Sequence, residues 1–164
     1  MRKGKYHCTY CGEPFPDTYG WPKRCPACGK TSYRNPIPVA VVLLPIADGL
    51  VVIRRNTEPQ KGTLTLPGGY IDLGESWLAG ARRELLEETG IDIDESAIRL
   101  YDVQNGLDDT LVIFGLAEKQ PRNALKPFTS KETQEVALIE EPMELGFPLH
   151  TQIIARYFAE KCRR

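Results

Sequence analysis

The sequence predicts a mixed α/β (α+β) fold, in which helices cover the faces of a layered sheet, preceded by a small cysteine-bearing module. Two observations lead to this prediction. Four of the five cysteines lie within the first 28 of the 164 residues. The rest of the chain mixes short, strand-like apolar stretches with two amphipathic helical patterns. A chain of this length is enough for one medium-sized domain with a small appendage.

The cysteines form two CxxC pairs, CTYC and CPAC, and a glycine follows each pair. In a reducing compartment this spacing is more typical of metal ligands than of disulfides, although a redox-active pair is an alternative. Four thiolates complete the tetrahedral shell of Zn²⁺, so we expect a structural site and not a catalytic one. We assign residues 1–34 to a zinc ribbon that depends on its metal to fold. Its predicted ligands are Cys8, Cys11, Cys25 and Cys28.

Residues 35–164 carry the patterns of the main domain. A Pro-rich connector, SYRNPIP, precedes a predicted β-hairpin whose strands, VAVVLLPI and LVVIRR, flank a turn at residues 47–49. A further short strand, TLTLP, leads into the glycine-rich loop GGYIDLGE. The segment SWLAGARRELLEET is predicted to be a helix that begins after Ser76 and ends before Gly90. Three more strands and an amphipathic helix follow, with the sequences IRLYDV, TLVIFGLAE, VALI and LHTQIIARYFAEK.

The first of these helices carries an unusual group of acids. Glu84, Glu87 and Glu88 are spaced i, i+3 and i+4, so they are expected on one face near the end of the helix. Their charges repel one another, and the helix dipole also disfavours acids at this end. A solvated acidic face is one interpretation. However, Gly68 and Glu75 lie just upstream, and carboxylates with backbone carbonyls are the ligands that Mg²⁺ or Mn²⁺ prefers. We therefore interpret the acids as a cation site.

Residues 69–91, GYIDLGESWLAGARRELLEETGI, resemble the signature of the Nudix hydrolases. The signature fixes nine positions by type and spacing, and the sequence meets them with Gly69, Glu75, Arg83, Glu84, Leu85, Glu87, Glu88, Gly90 and Ile91. The resemblance implies a Nudix-type α/β/α sandwich with a mixed sheet across residues 37–162. It also implies hydrolysis of a nucleoside diphosphate linked to another group, X, with Mg²⁺ or Mn²⁺ as the catalytic metal.

The resemblance further implies roles for single residues. The expected catalytic residues are Glu75, Arg83, Glu84, Glu87 and Glu88, and the expected ligands of the catalytic metal are Gly68, Glu84, Glu87, Glu88 and Glu132. Arg83 is expected to orient Glu75 or a ligand through a charge-assisted hydrogen bond. The last ligand comes from a loop before a late strand, where SKETQEVALI favours Glu132 over Glu135. The general base varies within the family and stays open.

A zinc ribbon ahead of a Nudix domain resembles the NADH pyrophosphatases and related enzymes that act on FAD or ADP-ribose. The SQPWPFP-like segment of the NADH pyrophosphatases is not found after the signature. We expect a dinucleotide-type substrate such as ADP-ribose, FAD or NAD(H). Arg54, Arg55 and Lys61 are candidates for a phosphate contact, of which we choose Arg54, and Tyr70 is expected to stack on a base. Ordinary solvated charges and an ordinary semi-buried aromatic are equal alternatives for these residues. A nucleoside triphosphate pyrophosphohydrolase is the second hypothesis for the activity.

The net charge of −1 argues against a broad nucleic-acid or membrane footprint, so neither partner is expected. No secretory signal is visible at the start, and the longest apolar run is about half of a membrane span. We expect a cytoplasmic protein with a small nucleotide as its partner, and a homodimer is a further possibility. A third hypothesis is a nucleotide-sensing regulator or nucleic-acid-binding protein. The intact signature argues against it, whereas the basic residues of the ribbon favour it, namely Arg2, Lys3, Lys5, Lys23, Arg24 and Lys30.

Overall fold

A computed structural model describes residues 6–16 and 20–162 of the chain. The chain divides into two compact units, Met1–Pro36 and Ile37–Arg164.

The first unit is a small module built around its cysteines. Two short strands, β1 (Lys23–Arg24) and β2 (Thr31–Ser32), pair in an antiparallel sheet. The core contains Cys8, Phe15 and Cys25, with Trp21 packed against them. A core of this size buries too little apolar surface to hold a fold alone, which fits the expected dependence on a metal.

The strands of the second unit are β3 (Ile37–Leu43), β4 (Pro45–Ile46), β5 (Gly49–Arg55), β6 (Leu64–Thr65), β7 (Gly68–Tyr70), β8 (Ile98–Asn105), β9 (Thr110–Ala117) and β10 (Thr133–Ile139). They form two four-stranded sheets. One has the order β7-β3-β9-β8, in which β3 and β9 are parallel and the other neighbours are antiparallel. In the other sheet β5 pairs with β10, β4 and β6, always antiparallel. The expectation of a mixed sheet is thus confirmed.

Two helices complete the sandwich, α1 (Trp77–Thr89) and α2 (Pro148–Lys161). Side chains of β3 alternate between two hydrophobic cores, because successive residues of a strand point to opposite faces. One core combines Val41 and Leu43 with residues of α2, and the other combines Ala40, Val42 and Leu44 with residues of α1. The sheets therefore lie between the helices, as the predicted α/β/α arrangement requires. Neither helix of the described chain is long and apolar enough to cross a membrane.

The predicted hairpin of residues 39–46 with residues 50–55 is only partly correct. Most of the predicted first strand corresponds to β3, which lies in the sheet with β7, β9 and β8. Only the short strand β4 pairs with β5, around a turn at Ala47. The chain passes from one sheet to the other at Leu44. Every residue from Ala40 to Leu44 is buried, so the apolar run contains no polar position that could mark this change of sheet.

The ends of α1 are as predicted. The Ser76 side chain accepts a hydrogen bond from the backbone N–H of Ala79 at 3.0 Å, which satisfies one of the free N–H groups of the first turn. At the other end Gly90 has φ 71° and donates its N–H to the carbonyl of Leu86. This left-handed conformation suits glycine, and it ends the helix directly after Glu88 and Thr89.

Candidate active site

The three acids of α1 are not equivalent in the structure. Glu84 and Glu88 face the protein and are 9% and 2% exposed, whereas the side chain of Glu87 is 60% exposed. Two residues four positions apart lie above each other on a helix, so the buried pair continues the stripe formed by Ala81 and Leu85. The acidic group is therefore a buried pair with one acid at its rim, and not a uniformly solvated face.

The glycines of β7 allow this burial. A side chain at position 69 would place its Cβ 2.5 Å from the Oε1 atom of Glu84, and one at position 68 would collide with the carbonyl oxygen of Ala40. The backbone N–H of Gly68 donates to Oε2 of Glu88 at 2.8 Å. The paired glycines of LPGG thus bring a bare strand close enough to α1 to contact both carboxylates.

Arg83 is hydrogen-bonded to other charged residues of the signature. Its guanidinium donates two hydrogen bonds to the carboxylate of Glu75, at 2.9 and 3.0 Å, and one to Glu84 at 2.7 Å. A further bond reaches the carbonyl oxygen of Tyr70 at 2.9 Å, and a longer one reaches Glu87 at 3.3 Å. Bidentate pairs of this kind fix both partners in direction as well as distance. The hydrogen bonds from Arg83 lower the pKa of Glu75 to about 2, so that this acid is ionised.

The buried pair has the opposite electrostatic character. Burial raises the pKa of Glu88 to about 8, and the charge of Glu84 adds to this effect. The N–H of Gly68 and the charge of Arg55 act in the other direction. Burial also raises the pKa of Glu84, against the hydrogen bond from Arg83. A divalent cation would relieve this cost, because it compensates both carboxylates at once and is chemically suited to oxygen ligands. The donor set therefore fits Mg²⁺ or Mn²⁺.

The two acids considered for the late loop lie in different surroundings. The charge of Glu132 raises the pKa of both Glu84 and Glu88, which places it near the buried pair. Glu135 lies on β10 and pairs with Arg54, with 2.8 Å between Oε1 and the Nη2 atom of the guanidinium. Glu132 as an additional ligand stays a prediction, and Glu135 is engaged by Arg54.

Arg54 and Arg55 point to opposite sides of β5. Arg54 is held by Glu135 and by the carbonyl oxygen of Gly62 at 2.9 Å. Arg55 alternates with Arg54 and lies on the same side of the strand as Val51, which belongs to the core that contains residues of α1, and its charge acts on Glu88. Of the candidates for the phosphate contact, we chose Arg54 from the sequence, but its guanidinium pairs with Glu135, whereas the charge of Arg55 acts on Glu88. The alternation of side chains along the strand from the buried Val51 could have favoured Arg55.

Arg55 is also fixed in position. Its Nε atom donates to the carbonyl oxygen of Pro59 at 2.9 Å, and its guanidinium lies 5.5 Å from the centre of the Phe147 ring. Tyr70, the expected stacking residue, has a side chain that is 60% exposed, while its carbonyl is held by Arg83. An accessible aromatic ring therefore lies next to the residues that surround the acids.

The four cysteines of the first unit come together as the sequence predicts. Their sulfur atoms all lie within 4.8 Å of one another, and no disulfide joins the cysteines of the described chain. The two turns match: Gly12 and Gly29 have φ of 76° and 73°, and each donates its N–H to the carbonyl of the first cysteine of its pair. The arrangement suits one tetrahedral zinc ion.

Comparison with known proteins agrees with this geometry. A profile of the NUDIX domain matches residues 35–160. The chain belongs to the NUDIX domain family. Among solved structures, a NUDIX hydrolase from Nitrosomonas europaea superposes with a TM-score of 0.72 at 24% identity, covering 96% of this chain and 92% of the other. The NUDIX domain of NrtR from Shewanella oneidensis, solved with ADP ribose, gives a TM-score of 0.60 at 19% identity, covering 78% and 90%. Similarity at these identities shows the fold alone.

Curated relatives include the NAD-capped RNA hydrolase NudC of Citrobacter koseri. It is 30% identical over 87 residues, which is 52% of this chain and 34% of the relative. The same hydrolase of Escherichia coli K12 is 30% identical over 93 residues, with 56% and 35% covered. The chain thus spans about a third of the length of these relatives.

Proposed function

We propose that the chain is a metal-dependent Nudix pyrophosphohydrolase that cleaves the diphosphate of a nucleoside diphosphate linked to X. The products would be a nucleoside monophosphate and phosphorylated X. The observation that carries this proposal is the buried pair Glu84 and Glu88, held against the glycines of β7 and ordered by the bonds between Arg83 and Glu75. Two buried carboxylates without a bound cation cost stability, so their presence indicates a use.

The catalytic cation would be held by Glu84 and Glu88, with the carbonyl of Gly68, and Glu87 and Glu132 would lie at the rim. When bound there, Mg²⁺ or Mn²⁺ would neutralise diphosphate charge, activate a water molecule and align the displacement at phosphorus. Arg83 keeps both Glu75 and Glu84 in place through direct hydrogen bonds.

The other residues of the site suit an anionic, base-bearing substrate. Arg55 is a fixed positive charge near the buried acids, and it suits a phosphate oxygen of the substrate better than Arg54, which is bound to Glu135. The exposed ring of Tyr70 offers a surface on which a base or nicotinamide could stack.

A dinucleotide-type substrate such as ADP-ribose, FAD or NAD(H) is our choice of substrate class. Two relatives support it: one is named for NAD-capped RNA, and one NUDIX domain was solved with ADP ribose. Both ligands contain an adenosine diphosphate joined to a further group, which is the linkage that the proposed reaction breaks.

We also propose that one Zn²⁺ stabilises the ribbon through Cys8, Cys11, Cys25 and Cys28. The close sulfur cluster and the matching glycine turns support this assignment. A Cys₄ shell leaves no position for water or substrate, so the role of this metal is structural.

A substrate panel with Mg²⁺, followed by chromatographic identification of products, tests the activity. ADP-ribose, FAD and NADH should give AMP and the phosphorylated second half, and the Glu88→Gln variant should give neither. Release of pyrophosphate from nucleoside triphosphates, without action on the three dinucleotide-type compounds, would favour the triphosphate pyrophosphohydrolase. No turnover of any nucleotide by the metal-loaded protein would refute both.

A further inference from the structure

The two units of the chain carry opposite charges. Residues 1–36 contain seven Lys and Arg against two Asp and Glu, a net charge of +5, whereas residues 37–164 contain fourteen against twenty, a net charge of −6. The overall value of −1 therefore hides a strong separation of charge. Four thiolates with one Zn²⁺ would add −2, which still leaves the ribbon at about +3. A polyanion is attracted to such a unit and repelled by the rest of the chain.

The ribbon also exposes aromatic rings. Tyr10 and Tyr33 are 58% and 66% exposed, whereas its core uses Phe15 and Trp21. In so small a module a large apolar side chain would contribute most to stability if it were buried. The outward position of these tyrosines therefore makes their rings available to a partner.

Cations lie beside these rings. The Nζ atom of Lys30 lies 4.9 Å from the centre of the Tyr10 ring. The backbone N–H of Thr9 donates to the hydroxyl of Ser32 at 3.2 Å, so the first cysteine turn lies next to β2. Tyr10 and Lys30 are thus in contact, and Tyr33 directly follows the strand that the first cysteine turn contacts. We call this set the tyrosine–lysine patch.

A second set continues the same alternation. The guanidinium of Arg34 lies 5.2 Å from the centre of the Tyr6 ring and donates to its hydroxyl. The Tyr6 ring meets that of Trp21 edge to face at 5.4 Å, and Lys23 lies 5.8 Å from the Trp21 ring. Within residues 6–16 and 20–36, Glu13 is the only acid. Basic residues therefore outnumber acidic ones in this part of the sequence.

We propose that the ribbon binds single-stranded nucleic acid. Tyr10 and Tyr33 would stack on bases, while Lys30 and the neighbouring cations Lys23, Arg24 and Arg34 would neutralise phosphates. Alternating rings and cations are how proteins hold single strands without reading their sequence, because every base has a face on which a ring can stack. A duplex keeps its bases stacked on one another, so it would use the cations but not the rings. The proposal concerns the ribbon alone and does not depend on the proposed hydrolysis.

Fluorescence anisotropy of a labelled single-stranded RNA of about 20 nucleotides, with a 5′ hydroxyl, tests it on the full zinc-loaded chain. Without Mg²⁺, binding is expected and should weaken steeply between about 50 mM and about 200 mM salt. Tyr33→Ala should weaken binding by about 5-fold or more, whereas Tyr33→Phe, which keeps the ring, should retain it. Lys30→Gln should lower the salt slope by about 0.7.

Lys126→Gln is the matched control, because Lys126 is an exposed lysine of the other unit. It should bind RNA as the unchanged chain does. Zinc content, measured for each variant, shows that the ribbon is intact, and Tyr33 lies outside the ribbon core, so its replacement should not unfold the unit.

Three results would overturn the proposal. One is the absence of binding at the lower salt concentration. Another is duplex RNA, or an acidic peptide of equal charge, binding as tightly as the single strand. The third is a Tyr33→Ala variant with full zinc content that binds no more weakly than Lys126→Gln.

Discussion

Glu84 and Glu88 occupy positions where α1 would otherwise place apolar side chains against the sheet. Their neighbours on the same stripe, Ala81 and Leu85, are fully buried in the core on that side. Burial of two carboxylates is expensive, and the hydrogen bonds from Gly68 and Arg83 return only part of that cost. At the residue scale, the candidate site therefore lowers the stability of the metal-free protein, and a bound cation would restore that stability.

Replacing Glu88 by Gln keeps the shape of the side chain and removes its ionisable carboxyl group. Without divalent metal, the free energy of unfolding at about pH 7 should rise by about 1–3 kcal/mol, because the amide carries neither the burial cost that raises the pKa of Glu88 nor the repulsion from Glu84. With Mg²⁺ this advantage should shrink or reverse, since only the unchanged protein gains full binding energy. Thermal melting with and without Mg²⁺ measures both effects. A variant that keeps full activity would disprove the site assignment.

Gly69→Ala should displace Glu84, because the new methyl group would lie 2.5 Å from its Oε1 atom. We expect turnover to fall by about 100-fold through misplacement of the carboxylate, and stability to fall by about 1–3 kcal/mol. Combining it with Glu84→Asp, which shortens the side chain, should restore part of the stability. Denaturant unfolding of the four proteins of this cycle provides the test, and strictly additive effects would contradict the proposed clash.

At the element scale, α1 and β5 show what a sequence can and cannot reveal. The limits of α1 were predicted correctly because Ser76 and Gly90 act on the helix locally. The close approach of Glu84 and Glu88 follows from helical spacing alone. In β5 the side that each arginine faces depends on which neighbour covers the strand, and that information lies in β10 and α1, distant in sequence. Helix propensity and residue spacing were therefore sufficient to predict α1, whereas tertiary contacts were needed to show which partners Arg54 and Arg55 have.

His150, in the first turn of α2, is held neutral. Its Nδ1 atom accepts the backbone N–H of Leu66 at 3.2 Å, and its ring contacts those of Phe114 and Phe147 edge to face. Burial lowers its pKa to about 3, and the charge of Arg55 adds to this effect. Between about pH 6.5 and pH 3 the unfolded chain therefore binds a proton that the folded chain does not.

Stability should accordingly decrease as the pH falls below about 6.5, with a contribution from His150 of up to about 1.4 kcal/mol per pH unit. His150→Asn keeps an acceptor near the N–H of Leu66 and should remove this contribution. His7→Asn, at the exposed histidine of the ribbon, is the matched control and should keep it. Urea unfolding between about pH 7 and pH 5 measures the slopes. Equal slopes in all three proteins would show that His150 is not buried neutral.

For the whole molecule, the division of charge changes how the net value of −1 should be interpreted. The expectation of no nucleic-acid partner came from the total, in which the opposite charges of the two units cancel. The basic residues of the ribbon already favoured the third hypothesis, and counting each unit by itself shows how large the difference is. The net charge of the whole chain describes neither unit. The expected absence of a nucleic-acid partner is therefore better judged from the charge of the ribbon by itself.

Cys25→Ser should remove a ligand from the ribbon and reduce bound zinc from about one ion per chain to nearly none. The ribbon should lose its melting transition, while Mg²⁺-dependent turnover persists in the protein that stays folded. Cys162→Ser is the matched control, because Cys162 is exposed and lies outside the sulfur cluster. Elemental analysis measures the bound zinc, and a rate assay measures the turnover. Unchanged zinc content in Cys25→Ser would exclude the assigned site.

The position of β3 between β7 and β9 has a consequence for how the second unit moves. The strand is hydrogen-bonded to both neighbours, and its side chains supply both cores. Packing on one side of the sandwich therefore cannot loosen without disturbing the other. We expect the amide hydrogens of Val41 to Leu43 to exchange with deuterium only through global unfolding, whereas those of the edge strand β8 exchange faster through local opening. Mass spectrometry of peptides from the two strands compares these rates, and equal exchange in both strands would contradict this expectation.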